Sequence, residues 1–417
     1  MTTSRSPRLL HQSIQSLCVQ LAVLAFALVN SAVIARWLGP EGKGQLSLAM
    51  LFVSILALLL GGGLNAAITY FAGSRRATIA DLSGNSIGFG LLASAVGVAA
   101  AAMLQGAGLF ERVLPGVPGW LLGLAILSLP LALPGGYLSG LLLGVQRIGS
   151  VNAVNLAQGA ASTLLLTALV VGLDGGVGAA AAALITAAAG ALVALGVLVR
   201  RLGGSLRPRL QREVLQPMLS YAMRANLGNV LQFFNYRLDV FVVNYLLGAE
   251  QVGIYGVAVS LAELLWQWPQ AVSFALFPRA TASDPEQMNR LTPRVLRWTL
   301  LVTLLGAIGL ALVGALVIRF VFGERFAGAY GPMLILLPGV VLLGGGKVLG
   351  SDIAGRGHPG LNSLNSAAAL VVTLAGNVAL VPRFGIAGAA LASSIAYALN
   401  FLLAVAFFLR VRRQPRG

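Results

Sequence analysis

Charged residues are scarce in this chain of 417 residues. Asp, Glu, Lys and Arg together make up 10% of it, whereas soluble domains contain about 25%. Apolar residues reach 58%, and a chain this apolar cannot bury its side chains in one water-soluble core. The composition therefore excludes an ordinary soluble domain and predicts a protein that crosses the membrane many times.

Cysteine and histidine are nearly absent. The single cysteine, Cys18, excludes an intramolecular disulfide. The two histidines, His11 and His358, are too few for a histidine metal site. GGGKVLGS (344–351) is not a phosphate-binding loop, because Val341 and Val348 occupy the positions of the first glycine and of the Ser or Thr. We therefore expect no metal, no cofactor and no enzyme activity.

Acidic residues are few compared with basic ones, which gives a formal net charge of +16. In a soluble protein this charge would suggest a nucleic-acid partner. Here membrane topology explains it, because nineteen of the 28 basic residues lie at the termini and in the even-numbered loops, and six lie on the other side. By the positive-inside rule we expect both termini in the cytoplasm, and no nucleic acid as a partner.

Long apolar stretches are abundant, and twelve are long enough to cross the bilayer as helices of about 20 residues. They lie at about 14–37, 45–72, 82–105, 119–145, 151–172, 177–199, 217–246, 252–278, 295–321, 330–354, 361–381 and 385–409. The connections between them are short. The sequence therefore predicts an all-α polytopic membrane protein with twelve transmembrane helices and no soluble domain.

The sequence repeats itself at an offset of about 210 residues. LGPEGKG (38–44) matches LGAEQVG (247–253), VNAVNLA (151–157) matches LNSLNSA (361–367), and GGVGAAAAALI (175–185) matches GIAGAALASSI (385–395). Because six spans is an even number, both halves share one orientation and form parallel repeats. We predict two six-helix lobes, 1–204 and 205–417, around a central cavity whose access alternates.

Glycine and proline interrupt spans at corresponding places of the two halves, which points to a binding site. PLALPGG (130–136) in the fourth span corresponds to PGVVLLGGGK (338–347) in the tenth. LGGGLN (60–65) in the second corresponds to WQWPQ (266–270) in the eighth. The alternative is that the glycines only let helices pack closely.

Six charged residues fall inside predicted spans, where each would cost about 2.5–3.5 kcal/mol if it faced lipid at mid-depth. They are Arg224, Arg237, Asp239, Glu263, Lys347 and Asp352. On a helix at about 100° per residue, the seventh span places Arg224, Gln232, Asn235, Tyr236 and Asp239 on one polar face, which we expect to line water. Arg237 falls on nearly the opposite side, so we do not expect it to pair with Asp239.

Three segments together resemble a known family. NYRLDVFVVNYLLGAEQVGIYGVAVSLAELLWQWPQAVSFALFPR (235–279), ARWLGPEGKGQ (35–45) and AGRGHPGLNSLNSAAALVVTLAGNVALVPRFGIAGAALASSIAYALN (354–400) are similar, in order, to the oligosaccharide flippases. These are the polysaccharide-biosynthesis membrane proteins of the multidrug/oligosaccharidyl-lipid/polysaccharide exporter superfamily. The resemblance covers essentially the whole chain. It is carried most directly by Arg237, Asp239, Gly253, Glu263, Pro269 and Pro278.

The resemblance implies a multi-pass protein of the bacterial inner membrane. Such proteins flip undecaprenyl-diphosphate-linked oligosaccharide outward for lipopolysaccharide O-antigen, capsule or exopolysaccharide. Membrane lipid, polysaccharide polymerases and glycosyltransferases are the expected partners.

We assign residue roles on that basis. Arg and Lys suit phosphate oxygens, and aromatic and amide groups suit sugars. Arg237, Lys347, Arg224, Asn235, Tyr236, Trp266 and Trp268 are the predicted substrate-binding residues. Asp239, Glu263 and Asn30, which corresponds to Asp239 in the first half, are predicted to couple an ion or to serve the structure.

Two other functions remain open from the sequence. A drug or cation antiporter of the same superfamily would use the acidic groups Asp239 and Glu263, although Arg237 and Lys347 argue against it. A non-transporting accessory subunit of a polysaccharide export system would keep export intact when Asp239, Glu263 and Lys347 are neutralised.

Overall fold

The protein is all-helical over the part described by the computed structural model, residues 6–74 and 76–412, where no strand is found. The side chains of residues 6–18, 224–227 and 229 lie outside this description. Three short segments have π or 3₁₀ geometry: Thr167–Gly172, Ile318–Phe322 and Glu324–Ala329. In chain order the α-helices are Ser6–Gly61 (α1), Leu64–Gly73 (α2), Ile79–Gly106 (α3), Leu109–Val113 (α4), Gly119–Ile126 (α5), Leu129–Gly144 (α6), Ile148–Leu166 (α7), Gly176–Arg201 (α8), Arg212–Leu247 (α9), Ala249–Leu264 (α10), Gln267–Ala282 (α11), Pro285–Val317 (α12), Tyr330–Gly355 (α13), Pro359–Phe384 (α14) and Ile386–Arg412 (α15).

Nine stretches within the described residues are long and apolar enough to cross a membrane. They begin at residues 19, 79, 119, 148, 176, 285, 324, 359 and 386. In the membrane interior no water is available to bond to the backbone. An α-helix pairs its N–H and C=O groups by hydrogen bonds within one segment, which is why the apolar runs fold as helices. The chain is therefore a polytopic α-helical membrane protein.

Three of the twelve spans expected from the sequence are not separate members of these nine. The first span and the start of the second form one helix, α1, which bends where Gly39 adopts a left-handed φ of 68° ahead of Pro40. The charges and amides of α9 lower its mean hydropathy. The eighth span is divided into α10 and α11, of 16 residues each. Nine stretches of the described residues, and not twelve, are therefore long and apolar enough to span a membrane as single helices.

The chain divides into two compact units, Met1–Asn226 and Leu227–Gly417. The division falls inside α9. In the first unit, the core contains Leu64, Ile68, Leu138, Leu141 and Met218, all buried. Small residues bring its helices close together, since Thr69 Oγ1 donates a hydrogen bond of 3.0 Å to the backbone oxygen of Gly140.

Residues 202–211, which lead into α9, lie against the start of α3. Asn85 makes two hydrogen bonds to Gln211, one to its backbone N–H at 2.6 Å and one to its side chain at 2.9 Å. The backbone N–H of Arg209 donates to the oxygen of Gly84 at 2.9 Å. A Cβ on Gly88 would lie 2.8 Å from the carbonyl carbon of Arg209, so only glycine fits there.

Gly88→Ala is expected to lower the free energy of unfolding by about 1–3 kcal/mol, because the added methyl group forces the Arg209 backbone away. Gly190→Ala on α8 is the control, since no atom from a neighbouring segment of the described residues lies within 4 Å of its added Cβ. There the better helix propensity of alanine should stabilise by up to about 1 kcal/mol. The melting temperatures of the detergent-solubilised variants measure the difference, and equal values would contradict the docking of this segment.

In the second unit, α13 is continuous through Pro338 and the glycines that follow, so the break expected in the tenth span is wrong. The glycines serve close packing instead. An added Cβ would lie 2.8 Å from Pro269 at Gly344 and 2.7 Å from Phe401 at Gly345. The break expected at PLALPGG (130–136) is also wrong, because α6 continues through Pro134 and the chain turns ahead of the motif, at residues 127–128. The helices do break at the other two places, at residues 62–63 and 265–266.

Candidate functional site

A cavity of about 400 Å³ with several polar side chains in its walls lies within the second unit. Its walls come from α9, α11, α13, α14 and α15. The lining includes Gln232, Tyr236, Gln270, Lys347, Asn365 and Asn400. Among the described residues that line it, Lys347 is the one charged side chain.

Lys347 is held by one hydrogen bond and two aromatic rings. Its Nζ donates to Gln270 Oε1 at 2.9 Å. The same nitrogen lies 4.6 Å from the ring centre of Trp266 and 5.6 Å from that of Tyr236, which are cation–π distances. The ammonium group is thus fixed at the cavity wall without a carboxylate partner among its described hydrogen bonds and ion pairs.

An aromatic cluster surrounds this lysine. The rings of Tyr236 and Trp266 are 4.8 Å apart, and Tyr397 packs edge-on against both at 6.1 and 6.0 Å. Gln232 Nε2 donates to the hydroxyl of Tyr236 at 2.7 Å. Trp268, two residues after the helix break, is 48% exposed and lies on a different face of α11 from this cluster. The sequence-predicted residues Lys347, Tyr236 and Trp266 therefore come together.

Arg237 is paired with Glu263 across α9 and α10. The guanidinium donates two parallel hydrogen bonds to the carboxylate, at 2.8 and 3.1 Å, and both side chains are partly buried. As predicted from the helical wheel, Arg237 does not face Asp239. A bidentate pair of this kind neutralises both charges inside the apolar segment.

The expected water-lined face of the seventh span is wrong for Asn235 and Asp239. Each is 2% exposed. Asp239 accepts hydrogen bonds from Tyr255 at 2.6 Å and Ser393 at 3.2 Å, and Asn235 Oδ1 accepts one from Thr373 at 2.7 Å. The reason is that α10, α14 and α15 cover this side of α9, and a helical wheel contains no information about neighbouring helices.

Asn30 also sits in a hydrogen-bonded network, in the first unit. Its Nδ2 donates to Ser162 at 2.8 Å, and its Oδ1 accepts from Thr163 at 2.7 Å. These bonds join α1 to α7. The side chain of Arg224, the remaining predicted substrate contact, lies outside the described residues.

Several polar residues of the cavity were not singled out as ligand contacts from the sequence. Ser273, Asn362, Asn365 and Asn400 line it together with Gln270. Ser273 Oγ and Asn365 Oδ1 are buried and have no hydrogen-bond partner among the described residues, a situation that costs about 1–3 kcal/mol per atom. The sequence signal that could have found them is the pair of asparagines in LNSLNSA (361–367), a motif that also marks the repeat.

The described lining of this cavity contains no Asp or Glu side chain. No group of three or more His, Cys, Asp or Glu side chains is found within residues 6–74 and 76–412. The chemistry available is one ammonium group, aromatic faces, amides and hydroxyls. Such a set favours a ligand with an anionic part and a hydroxyl-rich part.

Two known proteins with similar sequences are named for glycan transport. The chain is 25% identical over 190 residues to "Probable low-salt glycan biosynthesis flippase Agl15" of Haloferax volcanii, covering 45% of this chain and 40% of that protein. It is 28% identical over 178 residues to "Putative O-antigen transporter" of Shigella flexneri, covering 42% and 43%. The matched segments thus span less than half of these relatives.

Solved structures show the same fold. The lipid II flippase MurJ in an inward closed conformation superposes with a TM-score of 0.78 at 13% identity, covering 96% of this chain and 90% of that one. An inward-facing multidrug resistance MATE family transporter of the MOP superfamily gives a TM-score of 0.70 at 17% identity, covering 94% of both chains.

The family model described as "Polysaccharide biosynthesis protein" matches residues 33–330. This range covers well over half of the 417 residues. It includes the kink of α1, the Arg237–Glu263 pair and the aromatic cluster residues Tyr236 and Trp266. The chain belongs to the family of polysaccharide biosynthesis proteins.

Proposed function

We propose that the protein flips a lipid-diphosphate-linked oligosaccharide across the bacterial inner membrane by alternating access, for the assembly of a surface polysaccharide. The observation that carries this proposal is the position of Lys347 in a membrane-embedded cavity, beside Trp266, Tyr236 and a wall of amide side chains. The ammonium suits a phosphate oxygen as a point charge. Aromatic faces and amides suit the sugar next to it.

The names of the relatives support the same substrate class. One is a glycan biosynthesis flippase and another an O-antigen transporter by name, and the MurJ structure is that of a lipid II flippase. Undecaprenyl-diphosphate-linked oligosaccharide is the substrate we propose, with a polysaccharide polymerase and glycosyltransferases as working partners. By the basic residue count we propose that both termini are cytoplasmic.

We further propose the architecture of twelve spans in two parallel six-helix halves, 1–204 and 205–417. Two structural correspondences support it. Gly39 and Gly248, which align in the repeat, both have left-handed φ values, 68° and 86°. Thr163 and Thr373, at an offset of 210, each donate to an asparagine on the first long helix of their half, Asn30 and Asn235 respectively.

The antiporter alternative is less well supported. An antiporter would need acidic groups open to a cation. Glu263 is paired with Arg237, and Asp239 accepts hydrogen bonds from Tyr255, Ser393 and its neighbouring backbone N–H. The described lining of the cavity contains no carboxylate.

Reconstitution into liposomes tests the proposal. The purified full chain is incorporated with a fluorescent short-chain polyprenyl-diphosphate disaccharide, and the fraction of probe quenched from outside is followed over time. We expect movement of the probe well above that in protein-free liposomes. Transport of a fluorescent cationic drug instead would favour the antiporter, and movement of neither probe would favour an accessory subunit.

A further inference from the structure

The helix α12 has one buried face and one exposed face. On the buried face, Thr292 donates a hydrogen bond of 3.1 Å to Asp352 of α13, and Met288, Thr299 and Thr303 lie on the same side. The opposite face is an apolar stripe of large side chains, each between 44% and 76% exposed. The stripe consists of Trp298, Leu301, Leu305, Ile308, Leu312 and Leu316.

This apolar stripe is about as long as the hydrocarbon of a membrane is thick. It ends near Phe320, which is 70% exposed in the π segment that follows α12. From Trp298 to Phe320 a helix rises by about 33 Å, and the hydrocarbon core is about 30 Å thick. Tryptophan is typical of the boundary between hydrocarbon and headgroups. The stripe therefore faces lipid, and Trp298 marks one edge of the hydrocarbon.

Three arginines lie on the same face of α12, beyond Trp298. Arg290, Arg294 and Arg297 are all exposed. At 100° per residue they fall together with Trp298 and Leu301 within an arc of about 100°. Among the described ion pairs, none includes one of these guanidinium groups. The positive-inside preference explains why basic residues lie on one side of a membrane, but it does not place them on the lipid-facing side of a helix.

The depth of these arginines matches the headgroup layer. Along the helix axis from the level of Trp298, Arg297 lies about 1.5 Å outward, Arg294 about 6 Å and Arg290 about 12 Å. The headgroup layer is about 5–8 Å thick on each side of the hydrocarbon, and a long arginine side chain extends from Arg290 back into it. Glu286, the one acidic residue of α12, lies about 18 Å outward and so outside this layer.

The chemistry of this surface selects its occupant. Guanidinium groups donate charge-assisted hydrogen bonds to phosphate oxygens, and a headgroup without its own cation leaves the phosphate charge for them. A free phosphate would make no use of the apolar stripe. A second copy of the chain in the same orientation would bring its own arginines to the same depth, where like charges repel. An anionic lipid matches both the arginines and the stripe.

We propose that Arg290, Arg294 and Arg297 bind the phosphate of an anionic glycerophospholipid whose acyl chains lie along the apolar stripe of α12. The headgroup then lies at the level of Trp298 and just outside it. This site is separate from the cavity that contains Lys347, since no residue of α12 is in the described lining of that cavity. It does not depend on which substrate the cavity takes.

Lipid binding to the purified full chain in detergent tests this site. Native mass spectrometry measures the binding of phosphatidylglycerol and of phosphatidylcholine with the same acyl chains. We expect phosphatidylglycerol to bind about tenfold more tightly or better, because each arginine near the headgroups contributes about fivefold. Arg290→Gln/Arg294→Gln/Arg297→Gln should remove most of this preference, and Arg294→Gln alone should reduce it about three- to fivefold.

A second triple variant with the same change of charge is the control. Arg200, Arg201 and Arg207 are also exposed, at the end of α8 and after it, and their joint replacement by Gln should keep the preference. Without added lipid, the melting temperatures of all variants should equal that of the wild type, because the replaced side chains are exposed. Added phosphatidylglycerol should raise the melting temperature of the wild type more than that of the α12 triple variant.

Four results would overturn this site. Equal losses of preference in the two triple variants would show attraction by net charge alone, and an unchanged preference in the α12 triple variant would place the lipid elsewhere. Displacement of the bound lipid by glycerol 3-phosphate would indicate a site for soluble phosphates. A dimer of the wild type that is lost in the α12 triple variant would make a second copy of the chain the occupant.

Discussion

Glu263→Gln is expected to destabilise the protein far more than the same change at an exposed ion pair. The substitution keeps the shape of the side chain but leaves Arg237 with a full charge and no carboxylate. Removing one partner of a fully buried ion pair costs about 3–5 kcal/mol, and an unpaired charge that faces lipid at mid-depth costs about 2.5–3.5 kcal/mol. Because Arg237 and Glu263 are 32% and 21% exposed, the low end of these ranges applies. We therefore expect a loss on the order of 3 kcal/mol.

The pair should respond asymmetrically. Arg237→Met leaves Glu263 alone, and a carboxyl group can bind a proton and become neutral. A guanidinium cannot lose its proton under these conditions. Arg237→Met should therefore be less harmful than Glu263→Gln. The double variant Arg237→Met/Glu263→Met should recover most of the wild-type stability, because apolar residues of similar volume often replace a buried pair without loss.

Melting temperature in detergent and the amount of protein in the membrane measure these effects. Glu324→Gln provides a matched control, since Glu324 pairs with Arg319 where both side chains are 62% exposed. An exposed pair is worth about 0–1 kcal/mol, so little change is expected there. Equal losses at Glu263 and Glu324, or no recovery in the double variant, would show that the Arg237–Glu263 pair does not hold α9 to α10.

The pair also shows what the sequence could reveal. Two charges in apolar spans predict partners of opposite sign, and helical geometry correctly separates Arg237 from Asp239. The sequence could not show that Glu263, 26 residues later, is the partner, because that contact depends on how α10 packs on α9. The same limit explains Asp239, whose burial is set by Tyr255 and by Ser393, 154 residues away.

Glycine patterns were informative in one respect and misleading in another. Positive φ values at Gly39 and Gly248 coincide with the repeated LG motifs, where the chain turns. In α13 the glycines do not break the helix. Their role is visible only from their neighbours, Pro269, Phe401 and Asn400, which approach too closely for any Cβ. Composition alone cannot separate a hinge from a packing surface.

The sequence predicted the charged residue of the candidate site, Lys347, but not most of the polar residues that line the cavity with it. Lys347 stands out because a lysine within an apolar span is rare, and its aromatic neighbours Tyr236 and Trp266 were expected to bind the sugar beside it. Gln270, Ser273, Asn365 and Asn400 come from three helices distant in sequence. Polar residues of these common types indicate a binding site only when the structure shows that they line one cavity.

Lys347→Met is expected to lower the rate of flipping in proteoliposomes to near the protein-free background. A hydrogen bond to a charged group contributes about 1.5–3 kcal/mol, which corresponds to roughly 10- to 100-fold in binding or rate. The change removes the one charged side chain in the described lining of the cavity. Lys347→Arg keeps the charge and should retain part of the activity, reduced because a planar fork replaces a point charge.

Stability should move in the opposite direction from activity. Lys347 is partly buried, and its ammonium has no carboxylate among its described hydrogen bonds and ion pairs, so methionine removes a desolvated charge from an apolar segment. The melting temperature of Lys347→Met should therefore equal or exceed that of the wild type. Arg383→Gln, a change at an exposed basic residue near the end of α14, should leave flipping unchanged. Normal flipping by Lys347→Met would refute the anion contact, and a loss matched by a fall in melting temperature would assign Lys347 to the structure instead.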